Sequence, residues 1–269
     1  VLAGAALAEA GALIQATLNN PLASPNIIGV NAGSGLFVLL FACIAPHALG
    51  MSAAAAFLGA LASALLVFFV SAYAGASRLT IVLAGMALTA IFTAGMNTVL
   101  IFNPDAYVNS SGFLVGSLSG VMTSELTIPG IMICAGLILA MGQGTRLNIL
   151  SLGDEVAHAL GLNVNRTRLA LLSLAALLAG AAVCFSGLIG FVGLIVPHVV
   201  RYVAGHDNQR VLALSPIVGA VLVCACDTIA RTLFAPFEIP VGICMALVGG
   251  PFFIYLILHS RKGEVDGRA

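Results

Sequence analysis

The sequence predicts an all-α integral membrane protein, a polytopic helix bundle of about nine spans with a short half-helix and one soluble-looking helix in mid-chain. Three observations carry that prediction. Of 269 residues, 61% are hydrophobic and only 7% charged, and the mean hydropathy is +1.13. Such a chain lacks the polar side chains to cover a water-soluble domain. Apolar runs of helical length recur throughout, where an outer-membrane barrel would show strands of roughly ten residues with alternating polarity. Glycine and proline then punctuate the runs where helices must approach closely or break.

The candidate spans, in order, are residues 1–18, 27–45, 52–74, 79–102, 127–142, 166–185, 188–204, 211–233 and 239–259. Each is near the ~20 residues that cross a bilayer as a helix. Residues 110–122 are apolar, Gly/Ser-rich and too short to cross, which predicts a half-helix surrounded by protein or a water-filled path. Gly29 and Gly33, Gly116 and Gly120, and Gly187, Gly190 and Gly193 are spaced for close helix packing. Pro197 and Pro251, inside apolar runs, predict kinks or broken helices. The six cysteines all fall in apolar runs without metal-ligand spacing and read as small hydrophobes.

The basic residues choose an orientation. With residues 152–165 on the cytoplasmic side, that side also receives Arg78, Arg146, Arg166, Arg168, Arg201, Arg210, Arg261, Lys262 and Arg268, leaving only Arg231 of the ten outside. The C-terminus is then cytoplasmic and residue 1 external. The chain opens directly in an apolar run with no basic region before it, so no cleavable signal peptide is expected, and an even-numbered bundle asks for one more span upstream. The whole of 1–269 reads as a single transmembrane domain.

Several chemistries are excluded or thinly supported. The only lysine is Lys262, so no phosphate-cradling G-x-x-x-x-G-K-[ST] loop exists and the chain does not hydrolyse ATP alone. No HExxH metal motif occurs, and Ser34 in "AGSG" lacks a nucleophile-elbow pattern. No catalytic residue, metal site or bound cofactor is expected. A net charge of zero gives no hint of nucleic acid. Within the spans only Glu9 and Asp227 are acidic, and Asp227 has Arg231 one turn later to pair with, so an ion relay has little to run on.

The stretch "LGDEVAHALGLNVNRTR", residues 152–168, is the exception to all this grease. Asp154 and Glu155 suit a helix N-terminus and Gly161 suits its end. Val156, Ala159 and Leu160 form an apolar stripe with His158 at its edge. Two readings fit: an interfacial helix lying on lipid headgroups, or a docking knob for a cytoplasmic partner that supplies the missing motor.

"GDEVAHALGLNVNRTRLALL" resembles the cytoplasmic loop of the FecCD-type permease subunits of ABC importers for iron–siderophores, haem and cobalamin. So do "NNPLASPNIIGVNAGSG" (19–35), "GLIGFVGLIVPHVVR" (187–201), "CDTIARTLFAPFEIPVGI" (226–243) and "GGPFFIYLI" (249–257), in order along the whole chain. The resemblance implies a ten-span permease in the bacterial cytoplasmic membrane, paired with a second copy or a paralogue. It also implies two cytoplasmic ATPase subunits, which carry the ATP and Mg, and an external substrate-binding protein. On it, Asp154, Glu155, Val156, Ala157, His158, Ala159, Leu160 and Gly161 are the ATPase-coupling helix. Val156 stands where the looser EAA signature has alanine.

Arg231 falls where the family places a basic residue to meet the binding protein, and the pair with Asp227 is the competing reading. His198 and Arg201 either serve as cations at a helix C-terminus or act near the inner gate or the ATPase. In the fourth span Met86, Thr89, Thr93, Met96 and Asn97 share a helical face. The resemblance implies that this face, with Ser117 and Ser119 of the half-helix, lines the path; bonding of the threonines to their own backbone is the alternative. An ion-driven carrier and a non-transporting scaffold remain as rival classes.

Overall fold

The structure is a computed structural model that describes residues 1–45, 52–75, 77–233 and 237–266. Among these residues it is built from helices: α1 (Leu2–Leu18), a 3₁₀ turn (Pro25–Ile28), α2 (Val30–Ile44), α3 (Ser52–Tyr73), α4 (Arg78–Phe102), α5 (Pro104–Val115), α6 (Thr123–Met141), α7 (Gly144–Ser151), α8 (Asp154–Ala159), α9 (Val164–Ser186), α10 (Val192–Ala204), α11 (Asn208–Thr232) and α12 (Val241–Asp266).

The bundle is organised around α1. Every residue of α1 from Ala3 to Leu18 is buried, against α9, α10 and α11. Small residues permit this: a Cβ on Gly11 would overlap the backbone of Gly193 in α10, and one on Gly4 would overlap that of Gly219 in α11. Where lipid gives no hydrophobic drive between helices, such backbone proximity is the main source of association. Glu9 is sealed into this packing at 0% exposure, and neither carboxyl oxygen has a hydrogen-bond partner.

Among the described residues, helix length and apolarity alone give four crossings, α3, α4, α9 and α11, with a fifth if the α6–α7 pair, bent by 56°, is one broken span. The expected count of nine therefore exceeds what helix length establishes, although each expected span does coincide with a helix. The reason lies at α1, α2, α10 and residues 241–256, whose apolar helices are shorter. Two of these start inside the bundle. The chain ahead of α2 packs onto the middle of its neighbours: Ser63 of α3 donates to the Ile28 carbonyl at 3.3 Å, and Gly85 of α4 has no room for a Cβ against the Ile27 carbonyl. The chain ahead of α10 likewise turns within protein, through Phe191 at φ 65°. Irregular backbone at such depth is tolerable because it touches protein, not lipid.

The half-helix expected at 110–122 is instead α5, at 104–115. Asn103 breaks α4, Pro104 starts the new helix at its first turn, and Gly116 at φ +82° stops it. Ser117 and Ser119 accordingly lie in the turn before α6, not on a helix. The break after α6 and the whole of α7 were not foreseen.

Candidate coupling and translocation surfaces

α8 is a single short helix held between two glycines, Gly153 at φ +105° and Gly161 at φ +82°. Its end is a Schellman motif: the Leu162 N–H donates to the Ala157 carbonyl at 3.0 Å and the Gly161 N–H to the His158 carbonyl at 2.9 Å. Ala157 is fully buried and seats the helix, while Glu155, Val156, His158, Ala159 and Leu160 are exposed. Val156 and Leu160 thus present apolar surface outward, as the spacing predicts.

Asp154 does something the sequence did not disclose. Both of its carboxylate oxygens accept from Arg168 at 2.9 Å, and Oδ1 also accepts from Arg78 at 2.8 Å. Arg168 is only 2% exposed, so its charge is offset within the protein. Arg78, the first residue of α4, also donates to the Leu150 carbonyl of α7 at 3.1 Å. Burial pushes the Asp154 carboxyl up, but the two guanidinium groups more than offset it and hold the group below its ordinary value. α8 is therefore pinned to α4 and α9 through one carboxylate. α7 is fastened to α11 beside it: Asn148 donates to Asp207 at 2.7 Å and accepts from the Asn208 backbone and side chain at 2.9 Å. Ser77, Asn163 and Asp207 cap the α4, α9 and α11 starts at this same end.

At this end α10 carries His198 and Arg201. Pro197 has no N–H for the Gly193 carbonyl four residues earlier, and Gln15 of α1 fills that gap, donating to the carbonyls of Gly193 at 3.1 Å and Leu194 at 3.3 Å. The Gln15 carbonyl oxygen then accepts from Arg201. His198 meets the edge of Phe252 of α12, ring centroids 6.0 Å apart. A cavity of about 580 Å³ opens beside both residues, between α1, α7 and α10.

On α4, Met86, Thr89, Thr93 and Asn97 line one open groove of about 590 Å³ together with Asn26 and Ile27. Thr89 points its hydroxyl at the Asn26 carbonyl, 3.5 Å away, and not at its own helix. Asn26, from the 3₁₀ turn, was not anticipated here. Met96 departs from the expected stripe, because its sulfur sits against Gly35 of α2.

At the opposite end Arg231 bonds Asp227 at 3.0 Å and lies 3.7 Å from Glu238, whose carboxylate accepts from Ser119 at 2.7 Å. Ser119 and Ser117 line a small pocket with these charged groups and are not in the α4 groove.

An apolar helical bundle with one pinned, outward-facing soluble helix is the architecture of a multi-pass membrane protein. The chain belongs to the FecCD transport family, which it matches over residues 1–259. It is 39% identical over 268 residues to the hemin transport system permease protein HmuU of Yersinia pestis, covering 97% of this chain and 80% of that one. It is also 39% identical over 264 residues to the Fe(3+)-citrate import system permease protein YfmD of Bacillus subtilis, covering 98% and 78%. Among solved structures, a metal-chelate type ABC transporter in an inward-facing conformation superposes with a TM-score of 0.89 at 31% identity, over 96% of this chain and 83% of that chain. The protein is a permease subunit of an ABC importer.

Proposed function

We propose that this permease passes a metal chelate, with ferric siderophore as the first choice of cargo and haem or cobalamin as alternatives, across a bacterial cytoplasmic membrane by alternating access. It works as a dimer, with a second copy or a paralogous permease, between two ATPase subunits that bind ATP and Mg and an external binding protein. The names of relatives that carry hemin and ferric citrate support the cargo class. The nine spans are those of the apolar runs, and the distribution of the basic residues supports an orientation with the C-terminus and α8 cytoplasmic.

The observation that carries the reading is the seating of α8. Its outward face offers Val156 and Leu160 to a groove on the ATPase, while Asp154 ties its root to α4, the helix that carries the groove. A push on α8 then reaches α4 as a rigid-body displacement, which is the form such transitions take. Asp154 is a positioning residue, and Glu155, Val156, His158, Ala159 and Leu160 are the contact surface. Arg231 already shares two carboxylates, so docking of the binding protein proceeds by partner exchange at an acidic residue, not by capture of a free cation. With Glu9 sealed and Asp227 paired, an ion-driven carrier has no evident relay.

Reconstituted uptake with the cognate ATPase and binding protein, across a panel of ferric siderophores, haem and cobalamin, tests the proposal. Glu155→Lys or Gly161→Val is expected to leave the permease inserted but to lower ATP-driven uptake at least about tenfold; the valine is forced to a positive φ that costs ~1–2 kcal/mol. Uptake driven by an ion gradient with no ATPase present would refute the scheme. Thr93→Trp, which intrudes into the groove, is expected to impair uptake while the ATPase still assembles and turns over; unimpaired transport would remove the groove from the path.

A further inference from the structure

The cavity between α1, α7 and α10 lies at the α8 end of the bundle and is lined by Arg201, His198, His206, Asn20, Asn208 and Tyr202 among others, with no carboxylate in its wall. Arg201 bonds only a neutral amide, Gln15, and among the described residues no acid pairs with it. That contrasts with Arg78, Arg168 and Arg231, each of which meets a carboxylate. A partly buried guanidinium without a counter-charge is costly, and a donor-rich cavity around it supplies everything an oxyanion needs. The guanidinium is held in place, because Gln15 is itself fixed by the carbonyls that Pro197 leaves free.

We infer that this cavity is a binding site for a phosphate group, presented by the headgroup of an anionic phospholipid of the cytoplasmic leaflet. Arg201 and the two histidines meet the phosphate, and Asn20 and Asn208 donate from its flanks. The lipid, and not soluble phosphate, is favoured because exposed amphipathic and apolar side chains adjoin the cavity on α10 at the level of the headgroups, Tyr202 at 90% and Val203 at 79%. Tyrosine at a headgroup boundary and basic pockets between helices on the cytoplasmic side are the chemistry such lipids select. The site is separate from the α4 groove and from the exposed face of α8, so its occupancy does not depend on the transport scheme.

Native mass spectrometry of the whole importer, released from nanodiscs of phosphatidylcholine with a minor share of phosphatidylglycerol, measures the retained lipid. The wild type is expected to keep phosphatidylglycerol selectively, and Arg201→Gln to keep about fivefold less. Arg201→Lys, which preserves the charge, should retain an intermediate amount. Asn20→Asp guards against misfolding as the cause: an aspartate can still accept the Leu22 N–H, as Asn20 does at 2.9 Å, yet it brings a negative charge to the cavity and should expel the lipid. Equal retention by wild type, Arg201→Gln and Asn20→Asp would overturn the proposal. So would Arg201-dependent binding of inorganic phosphate, seen by ³¹P NMR in pure phosphatidylcholine discs, because it would assign the site to a soluble anion. Absence of any retained anionic lipid from the assembled complex would hand Arg201 to an acidic side chain of the ATPase, and would equally overturn it.

Discussion

Asp154→Ala is expected to abolish ATP-driven uptake and to lower the stability of the permease by about 2 kcal/mol, the scale on which a buried charge loses its partner when that partner is itself half-exposed. The asymmetry of the cluster sets this size. Arg168 is 2% exposed and cannot turn to water, whereas Arg78 at 25% can. Removing the carboxylate therefore takes from the buried Arg168 both of its bonds to Asp154, leaves Arg78 with the Leu150 carbonyl, and frees the root of α8 from α4. Arg78→Ala should cost less stability but a comparable fraction of uptake, since it cuts the same connection while Arg168 keeps its carboxylate. Thermal unfolding beside uptake separates the two effects. If Arg78→Ala transports normally, force does not reach α4 through this contact.

The same cluster sets a pH dependence. The Asp154 carboxyl is held below its ordinary value, because Arg168 and Arg78 outweigh the effect of burial. Its contribution to stability is fully present above the unfolded carboxylate value of about 4 and is lost as the pH falls through the lower folded value. Wild-type stability should therefore lose this contribution only on the acid side, and Asp154→Asn should flatten that limb. An Asp154-dependent change between about pH 6 and 8 would contradict the assignment.

The position of α8 was legible because its signals are local: two acids, a glycine stop and an apolar stripe within ten residues. The function of Asp154 was not, because its partners lie 14 and 76 residues away. Arg168 counts as a basic residue of the cytoplasmic side in the charge distribution, yet the fold buries it. Helical spacing does bring Met86, Thr89, Thr93 and Asn97 of the α4 stripe to one groove, but Met96 lies at the margin of that face and Gly35 offers it space. Local rules did mark the start and stop of α5 at Pro104 and Gly116; the smooth apolar run across 110–122 obscured them. The short α2 and α10 were illegible as such, because hydropathy does not distinguish apolar helix from apolar chain packed inside protein. Gln15 reads as an isolated polar residue near the end of a span until Pro197 and Arg201 are brought to it in space.

Gly11→Val should be among the most damaging single substitutions, at about 3 kcal/mol or more, the upper end of what overpacking costs. The obstacle to the new side chain is the backbone of Gly193, which no rotamer change can move aside. α1 cannot retreat from α10, because it is buried on every face, with α9 and α11 packed against it as well. α10 cannot retreat either without breaking the bonds from Gln15 to the Gly193 and Leu194 carbonyls, which would leave the Gly193 carbonyl, already deprived of an in-helix donor by Pro197, unsatisfied inside the bundle. The yield of monodisperse permease and its unfolding temperature should fall sharply. Gly190→Ala, three residues before the contact and with open space at its Cβ position, should leave both unchanged. Equal tolerance of the two substitutions would mean that α1 and α10 are not in backbone contact, and the placement of Arg201 against Gln15 would fall with that contact.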